Sequence, residues 1–310
     1  MYRTTMTACL LAGAVSLASA QVITPEFADD YSFTDLGSAP GVPTNYGGLF
    51  ILPSDPNTLY LGGAANSSSG ALYAVPLIRD AEDRITGFGG PAVRAADAPN
   101  NDGGITPDPG GLISFARYPT NAYGQIDLST GEVVNNIPLA QFGVAISSAS
   151  VSFVPANYPG AGGMKISSYS SGQYYDIDYT VGAGGIISIN GATQIVGSTL
   201  PGGPEGFTYV PLASPGFDNP SMIVSEFNGN QISVYEMDSN GDPIISSRRI
   251  FMTGLTNAEG AAIDPVTGAF LFSTFGGGNR VVVVDGFVIP APGSACVLAL
   301  AGLVAVRRRR

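Results

Sequence analysis

At 310 residues, 45% of them hydrophobic, the chain is long enough for one large all-β domain or two smaller ones around a sizeable core. It has no histidine and no tryptophan, and its two cysteines, Cys9 and Cys296, fall in terminal apolar segments; a Ser-His-Asp triad, a Cys-His pair, the usual zinc sites and structural disulfides are therefore excluded from the part between them. Residues 21–292 carry 8 basic against 24 acidic residues, a net −16 that repels nucleic acid and anionic headgroups and attracts divalent cations, although solubility alone would also account for it.

With 42 glycines, 23 prolines and no long 3.6-residue period, the composition predicts many short strands. Residues 1–20 have one basic residue, Arg3, a short apolar run and the ending Ala18-Ser19-Ala20, the pattern of a secretory signal peptide cleaved by signal peptidase before Gln21. Residues 21–30 show no periodicity and are expected to form an exposed acidic lead-in. Residues 31–36 read as a strand, and 37–45 as turns.

A repeated unit follows. The first opens at Gly47-Gly48 and continues through strands at 49–53, 58–61, 71–77 and 84–88. Residues 90–109, rich in Gly, Pro and Asp, read as a long loop of the kind that is functional or mobile. The second unit opens at Gly110-Gly111, with strands at 112–115, 125–128 and 132–137. The third opens at Ala149-Ser150, with strands at 151–155, 164–169, 173–179 and 185–189. The fourth opens at Pro204-Glu205-Gly206, with strands at 204–211, 222–227, 231–237 and 246–252. The last spans 257–286, with an opening Glu259-Gly260, the turn Asp264-Pro265 and two further apolar runs. Gly48, Gly111, Ser150, Gly206 and Gly260 lie 63, 39, 56 and 54 residues apart, a mean of 53, which suits four-stranded propeller blades.

The last unit is one strand short, and residues 31–36 are left over, so this strand is expected to pair onto 280–285 and close the ring without a raw edge. Five blades result, with room for a sixth in the 63-residue interval; a sandwich or β-helix has strands of similar length. The repeats resemble those of the NHL and gluconolactonase-like propellers, on Pro204-Glu205-Gly206 with Asn228-Gly229-Asn230, and Glu259-Gly260 with Asp264-Pro265 and Gly278-Asn279. The resemblance implies a divalent ion in the central channel, held by Glu, Asn and Asp of several blades, with Glu205 and Glu259 at comparable positions.

After residue 288 come Pro290-Ala291-Pro292, twelve apolar residues at 295–306 and four arginines, too short an apolar run to span a bilayer unaided unless the arginines snorkel. This tail resembles PEP-CTERM sorting signals, with Ala291 where that family has glutamate. The resemblance implies initial anchoring in the inner membrane, processing by an exosortase-type enzyme, and delivery to the cell surface or extracellular matrix. The expected organisation is thus a signal peptide at 1–20, a propeller at 21–288 and a sorting tail at 289–310.

Three oxygen-rich places are candidate cation sites. Glu205 and Glu259, one blade apart and each just before an inner strand, would look toward the channel mouth, where they could hold Ca²⁺ or simply cap turns. Asp238, Asn240 and Asp242 begin a calcium-loop spacing, but Pro243 replaces the glycine and Arg249 the bidentate glutamate, which favours a hairpin turn. Asp102, with Asp108 nearby, could bind a cation or belong to a solvated loop. Tyr169, Tyr174, Tyr175 and Tyr179 could stack on a ligand or fill a sheet face. Two functions fit: a surface binding module for an extracellular glycan or protein, or a metal-dependent hydrolase of the lactonase type.

Overall fold

The computed structural model describes residues 20–289. The signal-peptide and sorting-tail readings fall on residues outside that range. Among the described residues no helix is long and apolar enough to cross a membrane.

Five antiparallel sheets surround an axis. From the axis outward, blade 1 comprises Leu49–Leu52, Asp55–Gly63 and Ala71–Arg79, with a divided outer strand, Ile85–Phe88 and Val93–Asp97. Blade 2 comprises Asn101–Pro107, Ile113–Arg117, Ala122–Asp127 and Glu132–Pro138. Blade 3 comprises Ser148–Phe153, Met164–Ser168, Gln173–Val181 and Ile187–Thr199. Blade 4 comprises Pro204–Tyr209, Ser221–Glu226, Gln231–Glu236 and Arg249–Thr253. Blade 5 comprises Ala258–Ile263, Phe270–Thr274 and Val281–Asp285, completed by Ser32–Gly37.

The core shows that the sheets are radial. It divides into five clusters, and each mixes side chains of two neighbouring blades, including blades 5 and 1. Because a blade is buried on both faces, its strands tolerate unbroken apolar runs. Val281 and Val283 pack toward blade 1 while Val282 and Val284 pack toward blade 4, as the two-residue period of a strand requires.

The ring closes as expected: Ser32 pairs with Asp285, Phe33 with Val284 and Thr34 with Val283. The lead-in expected to be exposed is instead a second clasp. Val22–Ile23 adds a fifth strand to blade 4, and Phe27, 1% exposed, stacks on Phe217 and meets Phe251 and Tyr31. One aromatic residue in an otherwise acidic decapeptide carries no period, so its anchoring role is invisible to pattern reading.

Residues 90–109 are not a long loop. They hold the outer Val93–Asp97 of blade 1 and the inner strand of blade 2, so residues 112–115, expected to open the second unit, belong to that blade's second strand. The inner strand, NDGGITP, has Ile105 as its one large apolar residue, because its glycines are needed for close approach. A Cβ on Gly103 would lie 2.7 Å from the Gly206 nitrogen, and one on Gly104 2.3 Å from the Val151 nitrogen. This strand touches the inner strands of all four other blades and fills the axis. With Gly103 as the second opening residue, the spacing becomes 55, 47, 56 and 54 residues.

Phe27→Ala should lower unfolding stability by about 3–5 kcal/mol, since it empties a fully packed aromatic position. Urea unfolding checks this, and a loss below about 1 kcal/mol would mean that the second clasp contributes little.

Candidate functional site: an acidic mouth on the axis

All five inner strands begin at the same end of the ring, and four of them begin with a slip in register. Blade 4 places Glu205 and Gly206 between the paired residues Pro204 and Phe207, which face Glu226 and Val224. Blade 5 does the same with Glu259 and Gly260, between Ala258 and Ala261. Blade 2 inserts Asp102, Gly103 and Gly104 between Asn101 and Ile105, and blade 3 inserts Ala149. Such bulges re-aim side chains, and here the inserted acids turn to the axis.

Asp102, Glu205 and Glu259 are thereby brought together: one carboxylate oxygen from each lies within 4.8 Å of the others. They are 2%, 4% and 1% exposed, so bulk water solvates them far less than it does surface carboxylates. Glu205 Oε2 and Glu259 Oε1 have no hydrogen-bond partner. The side-chain amide of Asn66, on the turn after the second strand of blade 1, ends 3.0 Å from Asp102 Oδ1 and 3.2 Å from the Asn101 carbonyl oxygen when its nitrogen is turned inward.

At such separations, like charges repel by on the order of 3 kcal/mol per pair even at an effective dielectric constant near 20. Burial pushes the Asp102 carboxyl up to about 7, despite hydrogen bonding with Glu259, Asn66 and the Gly103 backbone. Burial, followed by the Asp102 charge, raises Glu205 well above the ordinary carboxylate range. Burial and then the charges of Glu205 and Asp102 do the same to Glu259. Three ionised carboxyls cannot coexist here unaided: protons or a cation must offset them.

Above this floor a cavity of about 280 Å³ opens, lined by Asn66, Ser147, Tyr118, Tyr169, Phe227 and Phe275, with Asp102 and Glu205 beneath. Each of the four aromatics is the residue directly after the second strand of its blade, 2, 3, 4 and 5 in turn. Sequence reading passed over this collar because its members lie about fifty residues apart, single aromatics in separate turns. The second-strand ends supply the signal: an aromatic follows four of the five.

The remaining expected sites lie elsewhere. Asp108 accepts from the Gly110 and Leu112 amides, Ser114 Oγ and Gln125 Nε2, at 2.8, 3.1, 3.0 and 2.7 Å, and so braces blade 2 away from the mouth, not beside Asp102. Asp238 caps the hairpin, its Oδ1 accepting from the amides of Asn240 and Asp242 at 2.8 and 3.0 Å. Asp242 pairs with buried Lys165, and Asn240 offers Lys165 a backbone carbonyl, so this segment is a turn and not a cation loop. Of the tyrosines, Tyr169 reaches the mouth, whereas Tyr174 and Tyr175 are buried and Tyr179 packs beside Tyr175 on its sheet.

No protein-family model matches the sequence, and no curated protein does. Among solved structures the fold is similar to a gluconolactonase from Xanthomonas campestris, at 13% identity and a TM-score of 0.47, covering 90% of each chain. It is also similar to an auxiliary nutrient binding protein from Bacteroides ovatus, at 13% identity and a TM-score of 0.46, over 83% of this chain and 76% of that one. A third is virginiamycin B lyase from Staphylococcus aureus, at 12% identity and a TM-score of 0.40, over 83% and 99%.

The raised carboxyls make stability depend on pH in a defined direction. Because they hold protons more tightly folded than unfolded, their contribution is full below the ordinary carboxylate range and is lost as pH rises through their raised folded-state values, about 7 for Asp102 and well above the ordinary range for Glu205 and Glu259. In EDTA the melting temperature should fall by several degrees from pH 5 to pH 8, and a flat profile would mean that the three acids are not buried together.

Proposed function

We propose that the chain is an exported binding propeller whose axial mouth holds a divalent cation, Ca²⁺ by its all-oxygen donor set, on Asp102, Glu205 and Glu259. What carries this reading is that Glu205 and Glu259 each keep one buried oxygen without a hydrogen-bond partner, Oε2 and Oε1, while one oxygen of each lies within 4.8 Å of the other and of Asp102. Asn66 donates from its amide nitrogen to Asp102 Oδ1 at 3.0 Å and so holds that carboxyl in place. Ca²⁺ takes 6–8 oxygens, so with one oxygen from each acid roughly three to five positions remain for a ligand entering from the mouth. The ion would offset two of the three negative charges of the floor and polarise a ligand oxygen bound to it.

Export rests on the signal-peptide pattern of residues 1–20, and surface delivery on the tail pattern of 290–310. The chain leaves the described fold at Ile289, which lines one cavity with Pro155, Tyr158, Pro211 and Leu212 just beyond the ends of inner strands. That is the end of the ring opposite the acidic mouth, so a tail held in a membrane would leave the mouth free for an extracellular glycan, protein or smaller ligand.

A second reading, a metal-dependent hydrolase of the lactonase type, is favoured by one observation. Three carboxylates exceed the charge of one divalent ion, and the surplus group could act as a general base. In that case sugar-lactone hydrolysis should need Ca²⁺ and disappear in Glu205→Gln. A pure binding module would show Ca²⁺ binding without turnover.

Calorimetric titration should show Ca²⁺ binding that weakens at least about 30-fold in Glu205→Gln and in Glu259→Gln. The same two variants, freed of metal, should melt higher than the wild type at pH 8, because each removes a buried like charge. Wild-type protein that gives no heat and no melting shift with Ca²⁺ at pH 8 would overturn the metal reading.

A further inference from the structure

We infer that the ligand of this mouth is a small organic ammonium ion, held over the acidic floor by the aromatic collar. The inference rests on the proposed metal site for its floor and on separate side chains for its walls. Three observations converge.

The walls are aromatic and set across one another. The rings of Tyr169 and Phe227 lie 5.7 Å apart at 85°, and those of Phe227 and Phe275 lie 6.0 Å apart at 60°. Tyr118 stands on the blade 2 side, 36% exposed. The Tyr169 ring is fixed by a 2.9 Å hydrogen bond from its hydroxyl to Asn228 Oδ1. Rings in several orientations around one space offer negative π faces to a cation, and a substituted ammonium uses such faces better than a neutral ligand does.

The charge balance points the same way. Three carboxylates and one divalent ion leave a net −1 under the cavity, which disfavours carboxylate and phosphate ligands and is neutralised by a single positive charge above it. No lysine or arginine lines the mouth among the described residues, and the chain has no histidine. The protein therefore supplies no positive group of its own to complete the balance.

The polar inventory of the walls argues against a sugar as the favoured occupant. A sugar needs a partner for most of its hydroxyls, since an unpaired polar group left in a closed site is costly. Above the carboxylates the lining offers Asn66, Ser147 and two tyrosine hydroxyls, one of them already committed to Asn228. A cavity of about 280 Å³ sits just below the roughly 300–1,000 Å³ of drug-sized sites, which suits a compact ion more than a chain of residues.

Choline and its uncharged isostere 3,3-dimethylbutan-1-ol, titrated calorimetrically into the Ca²⁺-loaded protein, separate charge from shape. Choline should bind with the isostere at least about 10-fold weaker, and Phe275→Leu and Tyr118→Leu, which keep apolar bulk but remove the π face, should each weaken choline roughly 3- to 10-fold. Equal binding of the two probes, or no choline binding at about 10 mM, would overturn the inference. A Ca²⁺ titration of the same samples reports on the floor independently. Choline binding that survives chelation upholds the ammonium assignment, because the metal-free carboxylates attract a cation at least as strongly, and the metal reading stands or falls on the Ca²⁺ titration alone.

Discussion

The close approach of five inner strands at the axis is the constraint on which the rest of this structure depends. Gly103 against Gly206 and Gly104 against Val151 leave no space for a side chain, so the centre is backbone packed on backbone. The bulges that admit these glycines also carry the acids. In blades 2, 4 and 5 the residue before the tightly packed glycine is Asp102, Glu205 or Glu259, and the geometry that lets the glycine in turns its neighbour toward the axis. Packing and site are therefore one feature, and burial of the carboxylates follows directly from closure of the ring.

Closure in turn depends on the first described segment of the chain. Residues 22–37 span two blades, adding an outermost strand to blade 4 and then the missing outer strand to blade 5. Between the two strands, Phe27 and Tyr31 join Phe217, Phe251 and Phe287 in one aromatic cluster. The closing strand Ser32–Gly37 joins the ring by backbone hydrogen bonds, by Leu36 packed against the core and by the Asp35–Arg280 ion pair. The double clasp adds apolar burial on the order of 1.5–3 kcal/mol for each such side chain, and so ties closure to the core.

Much of this was legible in the sequence, for physical reasons that can be named. The Glu-Gly openings of blades 4 and 5 stand out because short apolar runs ending at a proline turn follow them, and the unpaired strand at 31–36 had one place to go. Asp102 was seen but misplaced. Its strand is so rich in glycine that hydrophobic pattern, which reports burial by side chains, reads it as loop. The clue that would have recovered it is local: Asp102-Gly103 repeats the acid-glycine step of Glu205-Gly206 and Glu259-Gly260, and starting the blade there evens the repeat. Asn66 and the aromatic collar lie on turns of different blades, and only the closed ring brings them together.

The filled axis also decides how such a site can work. On the side away from the acids, the space between the inner strands is lined by Leu49, Ile105, Val151 and Phe207 together with Thr106, Ser152 and Thr208. The ring thus has an acidic end and an end without carboxylates in its lining, with the packed backbone of Gly103 and Gly104 between them. A ligand that reaches the carboxylates must enter and leave through the aromatic collar. A ligand bound as proposed would pass these rings both on entry and on release, so a change in the collar would alter rates of exchange as well as affinity.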